Sequence, residues 1–316
     1  MIRLVASRVS SAVPILILVS LITFGMVHLI PGGPAAAIAG ISATPQQIAE
    51  INHNLGLDKP LPVQLYRWYD EVLHGNLGTS LLLGVPVSEA VLLRLPVTFG
   101  LSIYAMLITL VIGLSSGIIA ALRQNTWMDQ AAMIFSIIGI SLPNFYLALL
   151  MIILFAVDLG WLPSGGYVPF LDDPVGWLGA MTLPAVSLAL LLTGLLARIT
   201  RSTMLEVLRQ DYIRTARAKG LPPRQIVFKH ALANAMIPII TVIGIIVSLL
   251  MSGAVVTETI FSIPGIGQLL TEAVLNRDYP MVQGGVLVVT ALMVGVNIVV
   301  DVAYALLDPR VRYDAT

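Results

Sequence analysis

Six stretches of this chain carry no charged side chain, and each is long enough to cross a bilayer. They are Val9–Ala49, Leu95–Leu122, Gln130–Val157, Pro174–Ala197, His230–Thr257 (His counted neutral) and Tyr279–Val300. About 20 apolar residues, rising about 1.5 Å each, cover roughly 30 Å of hydrocarbon. The runs predict an all-α membrane protein with six transmembrane helices, near 10–30, 97–122, 131–157, 175–197, 232–257 and 280–306. Composition agrees, because 57% hydrophobic and 11% charged residues lie outside the usual range of soluble domains. Arg3 and Arg8 precede the first run, which is long for a cleaved signal and reads as a retained helix.

Several functions are disfavoured by what the chain lacks. A formal net charge of zero gives no general attraction to nucleic acid. The absence of Cys removes disulfides, Cys-ligated metals and thiol catalysis. His28, His53, His74 and His230 are scattered and form no metal-ligand spacing, so no metal site is expected. No GxxxxGK[ST] phosphate loop occurs. No carboxylate pair sits within a span as a proton relay requires; Asp301 comes nearest and reads as structural. Gly113 and Gly117 form a small-xxx-small motif, read as close packing within the chain. The serines between them have no His at matched depth, so no catalytic residue is assigned and the chain is not read as an enzyme.

Basic residues orient the spans. With the N-terminus cytoplasmic, 13 of the 17 Lys and Arg fall on the cytoplasmic side, eight of them in 198–230. The positive-inside rule then places both termini in the cytoplasm. The chain divides into an N-terminal segment with the first span (1–30), an extracytoplasmic loop with short helices (31–95), and a five-helix core (96–316) that includes a cytoplasmic segment, 201–237. In the outer loop, Thr44-Pro45-Gln46-Gln47 has a capping Thr, Pro at the first helical position and Gln three residues after the cap. It predicts a short helix from 45 to about 54, ending near Gly56. Residues 62–74 predict a second, with Tyr66, Trp68 and Tyr69 suited to the membrane interface. The pair reads as a lid on the outer surface, or as a docking face for an external partner.

The cytoplasmic segment has more structure than topology requires. Met204, Leu208, Tyr212 and Ala216 recur every four residues and would share one helical face. Gly220 would end that helix in a left-handed conformation, and Pro222-Pro223 would start another leading into the fifth span, with Pro238 near its entry. A helix–Gly–helix projection of this kind suits a cytoplasmic partner. Its candidate contacts are Leu208, Asp211, Tyr212, Arg214, Thr215, Ala216, Arg217, Lys219 and Gly220. Thr98, Tyr104, Asn144, Tyr146 and Asn297 are polar positions in apolar helices and candidates for a substrate pathway; helix–helix hydrogen bonding is the competing reading for each.

A set of motifs in order along the chain carries a resemblance. They are "LIPGGP" (29–34), "LGLDKPLPVQLYRW" (55–68), "NLGTS" (76–80), "RLPVTFGL" (94–101) and "SLPNFYLALLMIILFAVDLGWLPSGG" (141–166). "DYIRTARAKGL" (211–221), "KHALANAMIP" (229–238), "TETIFSIPGIGQLL" (257–270), "RDYPMVQG" (277–284) and "VDVAYALLDPRVR" (300–312) complete it. The chain resembles the membrane permease of bacterial dipeptide/oligopeptide ABC importers, the type with a long first outer loop. The resemblance implies the type I ABC importer permease architecture in the bacterial inner (plasma) membrane. It implies a second homologous permease, two cytoplasmic ATPase subunits (or one fused ATPase), and an extracytoplasmic substrate-binding protein. Together the permeases would form an ATP-driven pathway for di- or oligopeptides; related permeases carry nickel complexes or glutathione. No cofactor is expected in this chain, with ATP and Mg in the ATPase partners. A nucleotide-independent secondary transporter is the alternative from another class. The family's coupling motif is Glu-Ala-Ala, three residues, then Gly; here Arg214-Thr215-Ala216 precede Gly220, so the Glu and the first Ala are replaced. Gly220 also stands farther from Pro238 than in the general pattern. If the segment couples to the ATPases, Arg214, Arg217 and Lys219 would supply polar contacts around an apolar anchor of Leu208, Tyr212 and Ala216.

Overall fold

In hydrocarbon a backbone has no water to bond, so each uncharged run has to satisfy its amides internally. The computed structural model describes residues 2–28, 35, 44–54 and 56–307. "LIPGGP", Arg310 and Arg312 lie outside the described residues. The helices are α1 (Ile2–His28), α2 (Pro45–Asn54), α3 (Leu61–Leu73), α4 (Val87–Leu122), α5 (Trp127–Ser141), α6 (Asn144–Asp158), α7 (Pro174–Leu208), α8 (Asp211–Ala218), α9 (Pro223–Ile260), α10 (Ile266–Leu275) and α11 (Tyr279–Leu307). No strand occurs among the described residues; an isolated bridge pairs Thr79 with Pro86.

α1, α4, α7, α9 and α11 are each long and apolar enough to cross a membrane. The expected third span, 131–157, is not one helix. It is the pair α5 and α6, bent by 106° at the break between them. Pro143 is the cause. It has no N–H to continue the ladder, and its ring drives the preceding residue out of the helical region. Leu142 accordingly has ψ 129° and Pro143 ψ 137°. α6 then restarts at Asn144 and loosens into a π-turn over Ile152–Asp158.

Two compact units divide the chain, residues 97–264 with 296–316, and residues 2–96 with 265–295. α7 is the most buried helix of the first. Asp173 caps it, its carboxylate accepting from the N–H groups of Val175 (3.1 Å) and Gly176 (2.9 Å), with Pro174 at the first position. Two faces of α7 meet neighbouring backbone where side chains are missing. Opposite α5, a Cβ on Gly194 would lie 2.7 Å from the Ser136 carbonyl oxygen, and one on Gly139 would lie 2.9 Å from that of Leu190. Opposite α4, a Cβ on Gly117 would lie 2.6 Å from the Ala197 oxygen. The Gly113–Gly117 motif therefore packs within the chain.

In the second unit, Val87, Val91, Ile266, Leu269, Ala273 and Met281 form the core. α2 starts as its capping box dictates: Gln47 Nα donates to Thr44 Oγ1 (3.3 Å), and Thr44 Nα donates back to Gln47 Oε1 (2.9 Å). α3 lies against α1. Tyr69 and Ser20 share a hydrogen bond, His28 Nε2 is 2.9 Å from Gln64 Oε1, and Trp68 packs at a tilt against Phe24, ring centroids 5.7 Å apart. The buried Asp278 joins two distant motifs, "NLGTS" and "RDYPMVQG". Its carboxylate accepts from the Ser80 hydroxyl, from the N–H groups of Leu81 and Leu82 (both 3.1 Å), and from that of Met281 in the first turn of α11 (3.3 Å).

Candidate functional site

The segment after α7 is short and its local rules are visible. α7 ends at Leu208, and after two intervening residues α8 starts at Asp211. Asp211 in the first turn and Arg217 in the last both suit the helix dipole. At the other end the Leu221 N–H reaches the Ala216 carbonyl (3.3 Å) and the Gly220 N–H reaches that of Arg217 (2.9 Å). That crossed pair is a Schellman cap, and it needs the left-handed residue supplied by Gly220 at φ +77°. Pro222 and Pro223 then open α9, which runs from the projection into the membrane without a break. Helix, Gly stop and second helix are as expected.

The apolar face is not the expected one. A continuous helix would align Met204, Leu208, Tyr212 and Ala216. The extended Gln210 (ψ 150°) interrupts it and resets the helical phase. Tyr212 therefore points outward, 43% exposed, while Ile213 is fully buried and Ala216 nearly so. Ile213 and Ala216 join Met204 and Ile226 in the core, with Leu208 and Leu221 half-buried at its edge. Spacing of i and i+3 on an eight-residue helix was the available signal for Ile213. Asp211, Tyr212, Arg214, Thr215, Arg217, Lys219 and Gly220 are all exposed. Arg214 and Asp211 approach only to 3.5 Å at the surface, a contact worth little in water. The segment thus presents an aromatic ring and three cations, held from below by two apolar anchors.

Just before it, α7 is tied to α5. Arg201 grips Asp129 with two prongs: Nε donates to Oδ1, and Nη2 donates to Oδ2 at 2.7 Å. Oδ2 also accepts the N–H of Asn125, a left-handed residue (φ 62°) in the turn before α5. Asp129 is 3% exposed. The pairing leaves no periodic signal in the sequence, because the partners are 72 residues apart.

The five pathway candidates do not form one cluster. Thr98 is buried and donates to Glu258 Oε1 (2.6 Å); Asn144 Nδ2 donates to Thr257 Oγ1 (3.0 Å). These two are brought to adjacent residues of α9. Glu258 is fully buried and lies just past the uncharged run, which hid it. Tyr104 and Thr182 share a hydrogen bond of 3.1 Å, and Asn297 Oδ1 accepts from Ser248 (2.6 Å). Tyr146 is exposed. Four of the five thus bond to other helices of the chain. Nearby, the "PSGG" and "FSIPG" stretches meet: the Gly166 N–H donates to the Phe261 carbonyl (3.0 Å), and a Cβ on Gly165 would lie 2.3 Å from that oxygen. Among the described residues no group of three His, Cys, Asp or Glu could hold a metal ion.

Comparison with known proteins covers nearly the whole chain. Residues 113–313 match the family described as binding-protein-dependent transport system inner membrane component, and residues 1–102 match its N-terminal family. A putative peptide transport system permease of Brucella abortus is 49% identical over 314 residues, 99% of this chain and 100% of that one. A di/tripeptide transport system permease of Pseudomonas aeruginosa is 43% identical, covering 99% of both chains. A glutathione transport system permease of Salmonella paratyphi A is 41% identical over 99% of this chain and all of that one. Among solved structures, an inward-facing MetNI methionine ABC transporter aligns with 69% of this chain and 96% of its own, at 21% identity and TM-score 0.56, a likeness of fold.

Proposed function

Because the chain belongs to the family of binding-protein-dependent transport system inner membrane components, we propose that it is a permease subunit of an ATP-driven importer of di- or oligopeptides. The multi-pass chain pairs with a second permease to enclose the pathway. It is non-catalytic: two ATPase subunits, or one fused ATPase, hydrolyse ATP with Mg on the cytoplasmic side. An extracytoplasmic binding protein delivers the substrate. Both termini and α8 face the cytoplasm, in keeping with the Lys and Arg asymmetry. The relatives named for peptide transport, matched end to end, support the substrate class.

The observation that carries the coupling role is the construction of α8. Its exposed face holds Tyr212, Arg214, Arg217 and Lys219, while Ile213 and Ala216 key it into the core beside α7 and α9. A cytoplasmic subunit that grips the outer face therefore moves the ends of two long membrane helices. Closure of the ATPases on nucleotide shifts that element between two states and alternates access to the pathway. Gly220→Val tests it in the reconstituted complex, since Val resists the positive φ of the cap. ATPase binding or substrate-stimulated hydrolysis should fall; unchanged values in both would remove α8 from the mechanism. A second reading is glutathione transport, favoured by the 41% identical relative of that name. Uptake of labelled dipeptide, with and without excess glutathione and with and without ATP, separates the two. Uptake that ignores nucleotide would overturn the importer itself.

A further inference from the structure

We infer that Asp129 and Arg201 are positioning residues for energy coupling, locking α5 and α7 into one body so that a displacement of α8 reaches α5. The inference rests on the importer reading given above. It begins with register. α5 and α7 run antiparallel, and three points fix their alignment: Gly139 against Leu190, Ser136 against Gly194, and Asp129 against Arg201. In each pair the α5 number falls as the α7 number rises, nearly residue for residue, so one straight seam contains all three. The first two are glycine contacts with backbone oxygens, which bring the two backbones close without a side-chain bond across the seam. The third lies at the end of the seam nearest α8.

An ion pair is a poor choice there if the only need is stability. Apolar residues of similar volume often stabilise a buried site as well or better. The two-pronged guanidinium–carboxylate contact adds something apolar packing lacks: it fixes direction as well as distance. Asp129 extends the hold to the Asn125 turn, so α7, the start of α5 and the turn before it share one carboxylate. From Arg201, α7 continues only to Leu208 before α8 begins, about 10 Å at 1.5 Å per residue. A lever that short, clamped at its root, transmits a push where a loose one would absorb it. At its far end α5 reaches the Pro143 break, so the body that α8 pushes ends at the sharpest bend in the membrane region.

The test uses the full complex in liposomes, with substrate uptake and ATP hydrolysis followed together. Asp129→Asn and Arg201→Met should each lower substrate taken up per ATP hydrolysed by about fivefold or more. Arg201→Lys keeps the charge but not the fork, and should fall between. The double variant Asp129→Leu/Arg201→Met should restore thermal stability yet leave the ratio low. A ratio that recovers with stability, or that never falls in the single variants, overturns the inference. A second readout does not need the partners. The chain has no Cys, so spin labels at Trp127→Cys on α5 and Glu206→Cys on α7, both exposed positions, report the α5–α7 distance. That distribution should be narrow in the parent and broad without Arg201; an unbroadened one also overturns it. If the parent complex shows no nucleotide-dependent uptake, the importer reading fails, and the spin-label result still decides whether the lock exists.

Discussion

Removing the Asp278 carboxylate should open the loop that follows α3 more than any other single truncation in that unit. Asp278→Ala strands four donors at once: the Ser80 hydroxyl and the N–H groups of Leu81, Leu82 and Met281. They are not equal. Ser80 and Met281 are buried, and an orphaned buried donor costs about 1–3 kcal/mol. Leu81 and Leu82 are exposed enough for water to replace much of the loss, so about 0.5 kcal/mol each is reasonable. The sum is about 3–7 kcal/mol, in the range of broken buried polar networks. Ser80→Ala removes a single hydroxyl and strands Leu83 N–H, bonded to it at 2.9 Å, for about 1–2 kcal/mol. The two changes share one contact, so the double variant should cost less than their sum. Unfolding in mixed micelles gives the free energies, and protease cutting between Asn76 and Pro86 reports the loop directly. An Asp278→Ala loss below about 1 kcal/mol, or one smaller than that of Ser80→Ala, would refute the clasp as the holder of this loop.

Three further outcomes follow from the helix contacts. Gly194→Ala should destabilise by about 1–3 kcal/mol, because its Cβ would sit 2.7 Å from the Ser136 carbonyl; Gly113→Ala meets only the Leu196 side chain, at 3.0 Å and beyond, and should cost less in the same unfolding assay. At Gly220 a Cβ meets nothing within 4 Å, so Gly220→Ala carries only the left-handed backbone cost of about 1–2 kcal/mol. Gly220→Asn should carry less, and pulldown of the ATPase partner should rank glycine, asparagine, alanine, valine in falling order. Thr98→Val keeps shape but removes a hydroxyl from the buried Glu258, and should lower stability by about 1–3 kcal/mol while Tyr146→Phe, at an exposed position, leaves it unchanged.

What could be read in the sequence was local. Thr44, Pro45 and Gln47 sit within four residues, and their cap formed as their spacing dictates. Gly220 followed by two prolines announced a stop and a start within one turn. The uncharged runs located the helices because insertion into hydrocarbon depends on composition, not on partners. Composition also misled at Pro143, where a run of uninterrupted apolarity concealed a 106° bend that one ring imposes. Tyr212 was misplaced for a subtler reason. A four-residue period holds only while the helix lasts, and no Gly or Pro marks the break at Gln210. One extended residue there is enough to exchange Tyr212 for Ile213 as the anchor. The contacts that join separate motifs lay beyond any periodicity. Asp278 reaches back 198 residues to Ser80, and Arg201 reaches 72 to Asp129. Both acidic partners look like ordinary helix-start carboxylates until the chain is folded. That is the common feature of what was missed: a charge at the edge of an apolar run signals topology when read alone, and becomes a joint only when its distant partner is known.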